Sequence, residues 1–278
     1  MKFSILAIII CLSTFGLFAQ HRLVIMHTND THSQIEPVSK QASRFADQGG
    51  IARREVLVNQ QRKVNKDLLF FDIGDFCQGT PYFNVFKGMV EIELMNRLKY
   101  DAGTLGNHEF DNGIESLAKV LKKANYPIVC ANYDVSQTAL RKLIKPFVIF
   151  KKSGLKIGVI GIGVDPVGLI PTKKYAGIKY LNPIETANRF AAFLKNDKKC
   201  DVVVVLSHLG YKYEPWENKI GDTELAAKSR NIDVILGGHS HTFLKDAEQI
   251  QNLDGKPVVL NQAGRMGVVV DKLELEWK

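Results

Sequence analysis

Histidine, aspartate and asparagine residues recur along this chain in short clusters whose spacing suits metal binding. The first cluster contains Asp30 and His32, which are two residues apart. In an extended backbone two such side chains point the same way, so a carboxylate and an imidazole can bind one ion together. The pair alone is a weak signal, because a capped turn explains it about equally well.

A second cluster, with Asp72 and Asp75, follows an apolar run that ends at Phe71. Two carboxylates in a glycine-containing turn can offer oxygen atoms to two cations, which would relieve their mutual repulsion. Asp75 is therefore the candidate bridging ligand, with Asp72 as its support. A surface turn held by aspartate hydrogen bonds is the alternative.

The third cluster is the sequence GNHEFD at residues 106–111. The side-chain oxygen of Asn107 can bind a metal while His108 faces a substrate. Asp111, three residues after His108, can orient that histidine and raise its basicity. This hexapeptide is far more specific than either earlier cluster.

Two further clusters, SHLG at residues 207–210 and GGHSH at residues 237–241, each follow an apolar run. A single histidine at such a place is more often structural than functional. Five of the seven histidines, however, lie in loops of this kind: His32, His108, His208, His239 and His241. Scattered structural histidines would not be concentrated in this way, whereas we expect His21 and His27 to be structural.

These clusters need a scaffold that brings them together. Short β-branched runs predict strands at residues 23–26, 68–71, 157–162, 202–206, 234–236, 258–260 and 268–275. Helical spacing predicts helices at residues 51–64, 90–98 and 184–194, the last with Asn182 as its N-cap. This alternation is typical of a layered α/β fold with a mixed sheet. Because nearly every strand precedes a polar cluster, the strand ends should converge on one site.

Length and composition fit one large globular domain, since the chain has 278 residues of which 45% are apolar. Residues 1–19 predict a secretory signal, with Lys2 before an apolar run and Ala19 at the cleavage position. We therefore expect export to the periplasm or the extracellular space and no transmembrane segment after cleavage. The apolar run is short for a membrane anchor, and the bulky Ile10 argues against lipid attachment at Cys11.

The net charge of +8 favours anionic substrates. The basic residues are scattered rather than grouped with aromatic residues, which argues against a nucleic-acid surface. Cys77, Cys130 and Cys200 lack CxxC spacing, so neither a disulfide framework nor a thiolate metal site is indicated.

Taken in order, five motifs resemble those of the calcineurin-like metallophosphoesterases, specifically the N-terminal catalytic domain of the 5′-nucleotidase and UDP-sugar hydrolase family. They are HTNDTH at 27–32, GDFCQG at 74–79, GNHEFD at 106–111, SH at 207–208 and GHSH at 238–241. The resemblance covers residues 20–278. It implies an α/β four-layer αββα sandwich, the metallo-dependent phosphatase-like fold, with two mixed β-sheets flanked by helices.

The resemblance also implies the roles of the site residues. One metal would be held by Asp30, His32, Asp75 and His241. The other would be held by Asp75, Asn107, His208 and His239. His108 would be the catalytic histidine, with Asp111 as its partner. Nitrogen and oxygen ligands suit two divalent metal ions such as Zn, Mn, Co or Fe.

The expected activity is hydrolysis of phosphate monoesters, above all nucleotides, by metal-activated water with help from His108. A phosphodiesterase or pyrophosphohydrolase acting on cyclic nucleotides or UDP-sugars is one alternative, and a non-catalytic metal-binding interaction module is another. The resemblance implies that nucleotidases of this family continue into a C-terminal substrate-binding domain, which we expect this chain, ending at Lys278, to lack. We expect a separately encoded C-terminal nucleotidase domain to supply it, in preference to a stand-alone phosphatase.

Overall fold

The computed structural model describes residues 21–277, so the predicted signal at 1–19 and Cys11 lie outside the described residues. The strands are β1 His21–Thr28, β2 Leu69–Asp72, β3 Ala102–Gly103, β4 Ile128–Val129, β5 Tyr133–Asp134, β6 Ile144–Lys145, β7 Phe147–Lys152, β8 Leu155–Ile162, β9 Lys179–Tyr180, β10 Val202–Ser207, β11 Val234–Gly237, β12 Glu248–Gln251, β13 Pro257–Gln262 and β14 Asp271–Trp277. The α-helices are α1 Ile51–Val64, α2 Pro81–Phe86, α3 Met89–Leu98, α4 Ile114–Leu121, α5 Pro183–Asn196 and α6 Asp222–Ala227.

Two six-stranded sheets form the centre of the molecule. The first has the order β14-β1-β2-β3-β4-β6, in which β14 is antiparallel to β1 and the remaining pairs are parallel. The second has the order β12-β13-β11-β10-β8-β7, with antiparallel pairs at both edges and parallel strands between them. Both sheets are therefore mixed, as predicted, and β5 and β9 form a separate two-stranded ribbon.

Alternating side chains place each sheet between two apolar layers. In β1, Leu23 and Ile25 belong to the core between the sheets, whereas Val24 and Met26 belong to the core beneath α1, α3 and α4. In β10 the same alternation turns Val203 toward α5 and α6. The period of two along each strand thus produces the predicted αββα sandwich.

All seven predicted strands and all three predicted helices are present, with boundaries that differ by a few residues. Asn182 caps α5 by accepting hydrogen bonds from the amides of Ile184 and Glu185, at 3.0 and 3.1 Å. The predicted start of the last strand at residue 268 is wrong, because β14 begins at Asp271. The preceding chain is bent instead into a turn, where the Met266 amide donates to the Asp30 carbonyl.

Seven of the strands were not predicted, and most of them have only two residues. Such short strands have no detectable sequence period. Among residues 21–277, no helix combines the length and apolar character needed to cross a bilayer.

Candidate metal centre

The polar clusters meet at one edge of the two sheets. β1 and β2 run parallel in the first sheet, and β10 and β11 run parallel in the second. Each of these four strands ends immediately before a cluster, so their loops carry the side chains to a common place. The residues brought together there are Asp30, His32, Asp75, His208, His239 and His241, with His108 beside them.

Asp30, His32 and His241 form the first group. Oδ1 of Asp30 lies 3.8 Å from Nε2 of His32 and 3.4 Å from Nε2 of His241. The two Nε2 atoms are 2.9 Å apart. The Asp30 side chain is fully buried, whereas those of His32 and His241 are 12% and 32% exposed, so the group opens toward solvent on one side.

Asp75, His208 and His239 form the second group. Nε2 of His208 lies 3.1 Å from Oδ2 of Asp75, and the rings of His208 and His239 are 5.3 Å apart. Asp75 also lies close to His32 and His108. Asp75 thus belongs to the second group and also lies close to His32 of the first group. This is the position that the sequence predicts for a bridging ligand.

The donor atoms of the site fit divalent cations. Oδ1 of Asp30, Oδ1 of Asn107 and Nε2 of His208 are buried, and within residues 21–277 they have no hydrogen-bond partner. Buried polar atoms without partners are uncommon, because leaving them unsatisfied is costly. The imidazole nitrogens and carboxylate oxygens that meet here form a donor set suited to first-row divalent ions.

Backbone carbonyls orient two of the histidines. Nδ1 of His208 lies 2.6 Å from the carbonyl oxygen of Ile73, and Nδ1 of His32 lies 3.3 Å from that of Cys77. A proton on Nδ1 that is donated to the carbonyl leaves the Nε2 lone pair for a metal. Both rings are thus oriented for binding through Nε2.

The backbone at the site is unusual. Asp30, His32, Asp75, His239 and His241 all have positive φ angles, between 46° and 73°. Residues other than glycine adopt this conformation infrequently, and such strain is concentrated at functional sites. Five of the seven predicted metal ligands share it, which explains how closely spaced loop residues can all point inward.

Glu109 is a residue whose role the sequence did not reveal. Its carboxylate is buried and accepts hydrogen bonds from the amides of Gly106, Asp75 and Cys77, at 2.6, 2.9 and 3.2 Å. It thereby joins the loop after β2 to the loop after β3. The sequence offered one signal of this role: Glu109 lies between His108 and the apolar Phe110. An acidic side chain that is buried with such neighbours needs hydrogen-bond partners.

His108 and Asp111 form the pair that was expected. Nδ1 of His108 lies 2.9 Å from Oδ2 of Asp111, and the His108 amide donates to Oδ1 of Asp75 at 2.8 Å. The hydrogen bond to Asp111 raises the pKa of His108 to about 8, against the opposing effect of burial. The imidazole is therefore mainly protonated at neutral pH.

The buried carboxylates of Asp30 and Asp75 favour the binding of positive charge at the centre. Burial alone would lower the pKa of His208, but Asp75 and Asp30 outweigh it and raise that pKa to about 10. Burial, with a smaller contribution from the charge of His208, lowers the pKa of His239 to about 4. Without a cation, a proton on His208 partly compensates the carboxylates, and a divalent ion satisfies the same requirement.

The supporting residues lie just outside these groups. Asp72 accepts hydrogen bonds from the Gly74 amide and the Thr28 hydroxyl, so it stabilises the turn that presents Asp75. His27 is fully buried, and its Nε2 lies 3.2 Å from Oδ1 of Asn261, as befits a structural histidine. The side chain of His21 lies outside the described part of the structure.

A four-layer αββα sandwich with histidine, aspartate and asparagine side chains at the strand ends defines a metal-dependent phosphoesterase. The chain belongs to the calcineurin-like phosphoesterase family, whose model matches residues 23–243. Within this family its similarity is to the N-terminal domains of 5′-nucleotidases.

Three similar proteins illustrate the relationship. The 5′-nucleotidase of Homo sapiens is 30% identical over 276 residues, which cover 92% of this chain and 46% of the relative. The crystal structure of a 5′-nucleotidase precursor from Thermus thermophilus superposes with a TM-score of 0.83 and 36% identity, covering 92% of this chain and 52% of that one. The NAD nucleotidase of Haemophilus influenzae has a TM-score of 0.81 and 30% identity, covering 93% of this chain and 54% of that one. The chain thus spans about half the length of these relatives.

Proposed function

We propose that this chain hydrolyses the phosphate monoester of nucleotides at a centre that holds two divalent metal ions. The observation that carries the proposal is the position of Asp75 between two groups of metal-binding side chains. Similarity to proteins named 5′-nucleotidase supports the choice of a nucleotide as the substrate.

The proposed ligands follow the two groups. Asp30, His32, Asp75 and His241 hold one ion. Asp75, Asn107, His208 and His239 hold the other. When bound, such a pair of ions lowers the pKa of water and neutralises charge on phosphoryl oxygens.

The residues of the chain itself contribute binding and proton transfer. The protonated His108 donates a hydrogen bond to the phosphoryl group and supplies a proton to the leaving oxygen. Asp111 fixes the tautomer of that ring by accepting from Nδ1, which directs Nε2 toward the substrate. Such proton transfer contributes a rate factor of roughly 100 to 10,000.

A second candidate activity is cleavage of a pyrophosphate bond. Similarity to a protein named NAD nucleotidase favours this activity. A centre with two metal ions suits pyrophosphate cleavage as well as phosphomonoester hydrolysis. The two activities differ in their products, because pyrophosphate cleavage of NAD yields two nucleoside monophosphates and phosphomonoester hydrolysis yields inorganic phosphate.

The experiment is a substrate panel on purified protein loaded separately with Zn, Mn, Co or Fe. We expect inorganic phosphate from AMP, complete inhibition by a chelator, and recovery when metal is added back. If only NAD is cleaved, the second candidate replaces the first. Chelator-insensitive turnover, or metal binding without turnover of either substrate, would contradict the proposal.

We further propose that residues 1–19 direct export and that residues 20–278 form the catalytic domain. Because the relatives are about twice as long, we also propose that a C-terminal nucleotidase domain supplies additional substrate contacts. Adding such a domain in trans should lower KM for AMP. An unchanged KM at saturating partner concentration would argue for a stand-alone phosphatase.

A further inference from the structure

Arg54 is a buried charged residue that lies outside both groups of the metal centre. It is close to the start of α1 and only 5% exposed. Within residues 21–277, its Nε and Nη2 atoms are buried and have no hydrogen-bond partner. A buried cation is costly unless its surroundings compensate it. The neighbours of this guanidinium group therefore indicate what its charge and shape are used for.

The guanidinium group packs against the turn that precedes β14. Nη2 is so close to Gly267 that any side chain at that position would overlap it. The preceding residue, Met266, donates its amide to the carbonyl of Asp30 at 2.7 Å. Arg54 thus supports the turn that holds the carbonyl end of Asp30, a proposed ligand of the first metal ion.

The guanidinium group also acts on Tyr100. Burial raises the pKa of the Tyr100 hydroxyl to about 12, and the positive charge of Arg54 opposes that effect. The Tyr100 hydroxyl lies 2.7 Å from Oγ1 of Thr28, which donates its proton to Oδ2 of Asp72 at 2.9 Å. Because the Thr28 hydroxyl has a single proton, Tyr100 is the donor to Thr28. The lone pairs of the Tyr100 oxygen are then left for the positive charge of Arg54.

These two sets of contacts meet at Asp30. The Asp72 carboxylate accepts a hydrogen bond from the Gly74 amide at 3.1 Å, and the Gly74 carbonyl accepts one from the Asp30 amide at 3.0 Å. The backbone amide and the backbone carbonyl of Asp30 are therefore each held by a segment that Arg54 supports. Asp30 has a φ angle of 49°, a conformation that residues other than glycine adopt infrequently and that surrounding contacts must maintain.

We propose that Arg54 is a positioning residue that orients the Asp30 carboxylate for the first metal ion without contacting the ion or the substrate. A guanidinium group suits this role because it is planar and has five N–H groups, so one side chain supports the turn and the hydroxyl at the same time. A lysine would keep the charge but not this shape. The proposal rests on the proposed two-metal function, which supplies the ion that Asp30 binds.

This role affects the two ions unequally. Asp30 belongs to the first group, and it reaches the second group through a hydrogen bond from the His239 amide at 2.9 Å. His208 is oriented separately by the Ile73 carbonyl, and the Asp75 amide is held separately by Glu109. Loss of Arg54 should therefore weaken binding of the first ion more than binding of the second.

The test is a manganese titration of chelator-treated protein, followed by electron paramagnetic resonance, which distinguishes a coupled pair of ions from a single ion. Arg54→Met keeps a similar length without the charge, and Arg54→Lys keeps the charge. Tyr100→Phe removes the hydroxyl but keeps the ring, which stacks on Phe70 at a centroid distance of 4.0 Å. Arg53→Met, at the neighbouring exposed position of α1, is the matched control.

We expect Arg54→Met to bind the first ion about tenfold or more weakly than the wild type, with a smaller loss in Arg54→Lys and roughly a threefold loss in Tyr100→Phe. At manganese concentrations that saturate the wild type, Arg54→Met should then show the signal of a single ion. His241→Ala, which removes a proposed ligand of the first ion alone, supplies the reference for that signal. The control should bind both ions like the wild type.

Urea unfolding in the presence of chelator establishes that each variant is folded. A folded Arg54→Met variant with wild-type affinity for both ions would overturn the proposal, and so would equal weakening of both ions. If Arg54→Met does not fold, Tyr100→Phe decides, and wild-type affinity of that variant for both ions would overturn the proposal.

The wild-type titration separates this proposal from the proposed function. A wild-type protein that binds fewer than two ions would overturn the two-metal function, and this proposal with it, before any variant is measured. A wild type that binds two ions but does not cleave AMP would contradict the nucleotidase activity alone, because the manganese titrations still decide the role of Arg54.

Discussion

Nδ1 of His108 and Oδ2 of Asp111 lie 2.9 Å apart at the rim of the metal centre, where their side chains are 32% and 34% exposed. The hydrogen bond to Asp111 is the main reason that the pKa of His108 is raised to about 8. Asp111→Asn removes the charged acceptor, so we expect that pKa to fall toward the ordinary value of about 6.5. A histidine with a raised pKa stays protonated up to the higher pH. The decline of kcat should therefore begin at a lower pH in the variant than in the wild type.

The measurement is kcat for AMP against pH, with metal content determined on the same samples. Asp197→Asn, which changes an exposed aspartate at the end of α5, is the control and should retain the wild-type profile. An Asp111→Asn variant with full metal content and an unshifted profile would show that this pair does not set the titration.

Asp75 should be required for both metal ions. Asp75→Asn removes a carboxylate that lies between the two groups, so we expect loss of both ions and of roughly 99% or more of the activity. His108→Ala should lose activity by roughly 100-fold or more while it keeps both ions. Metal content per chain by mass spectrometry distinguishes the two variants. Two tightly bound ions in Asp75→Asn would contradict the bridging role, and loss of metal from His108→Ala would identify His108 as a ligand.

The sequence predicted the long elements and the clusters that follow them, because both depend on local pattern. Buried β-branched runs such as those of β8 and β10 have a composition that only a strand between two layers explains well. The histidine clusters were recognisable because two-residue spacing and position after a strand are visible without coordinates. The convergence of Asp30 and Asp75 on the histidines follows from parallel strands ending at one edge.

The rest depends on contacts between distant residues, which no local pattern encodes. The positive φ angle of Asp30 accompanies hydrogen bonds to Gly74 and Met266, which are remote in sequence. The link from Glu109 to the Asp75 amide spans 34 residues.

Glu109 should stabilise the centre through the amides that it accepts. Its buried carboxylate receives three backbone N–H groups, and Glu109→Gln replaces one acceptor oxygen with a donor that faces an amide. We expect a loss of about 1–3 kcal/mol in the free energy of unfolding and weaker metal binding, because the Asp75 loop is no longer fixed. Urea unfolding and a metal titration measure these effects. Glu115→Gln, an exposed change in the first turn of α4, is the control and should stay within about 0.5 kcal/mol of the wild type. Equal stability of the two variants would show that Glu109 does not stabilise the centre.

Asp271 should make stability depend on pH. Burial raises the pKa of this carboxyl to about 6, and its Oδ2 has no hydrogen-bond partner in the described part of the chain. Because the folded protein holds this proton more tightly than the unfolded chain, the contribution is complete below about pH 4 and is lost as pH rises through 6. Asp271→Asn cannot ionise, so the variant should match the wild type at pH 4 and exceed its stability at pH 8 by about 1 kcal/mol after allowance for partial exposure. Urea unfolding in the presence of chelator at both pH values tests this. The exposed Asp246→Asn is the control. If the stability difference between Asp271→Asn and the wild type is the same at pH 4 and at pH 8, the prediction is contradicted.

Gly106 should be irreplaceable because of what surrounds it, not because of its backbone angle. A Cβ atom on this residue would collide with Oδ1 of Asp75 and with the His208 ring. Both side chains are buried among fixed partners, so neither can move aside without changing the metal centre. Gly106→Ala should therefore reduce metal affinity and activity by at least tenfold. Gly103→Ala is the matched control in β3, where the added Cβ would meet Tyr126 at an ordinary 3.4 Å. Metal titration of both variants measures the effect, and tight binding by Gly106→Ala would mean that Asp75 and His208 do not need their present separation to hold the ions.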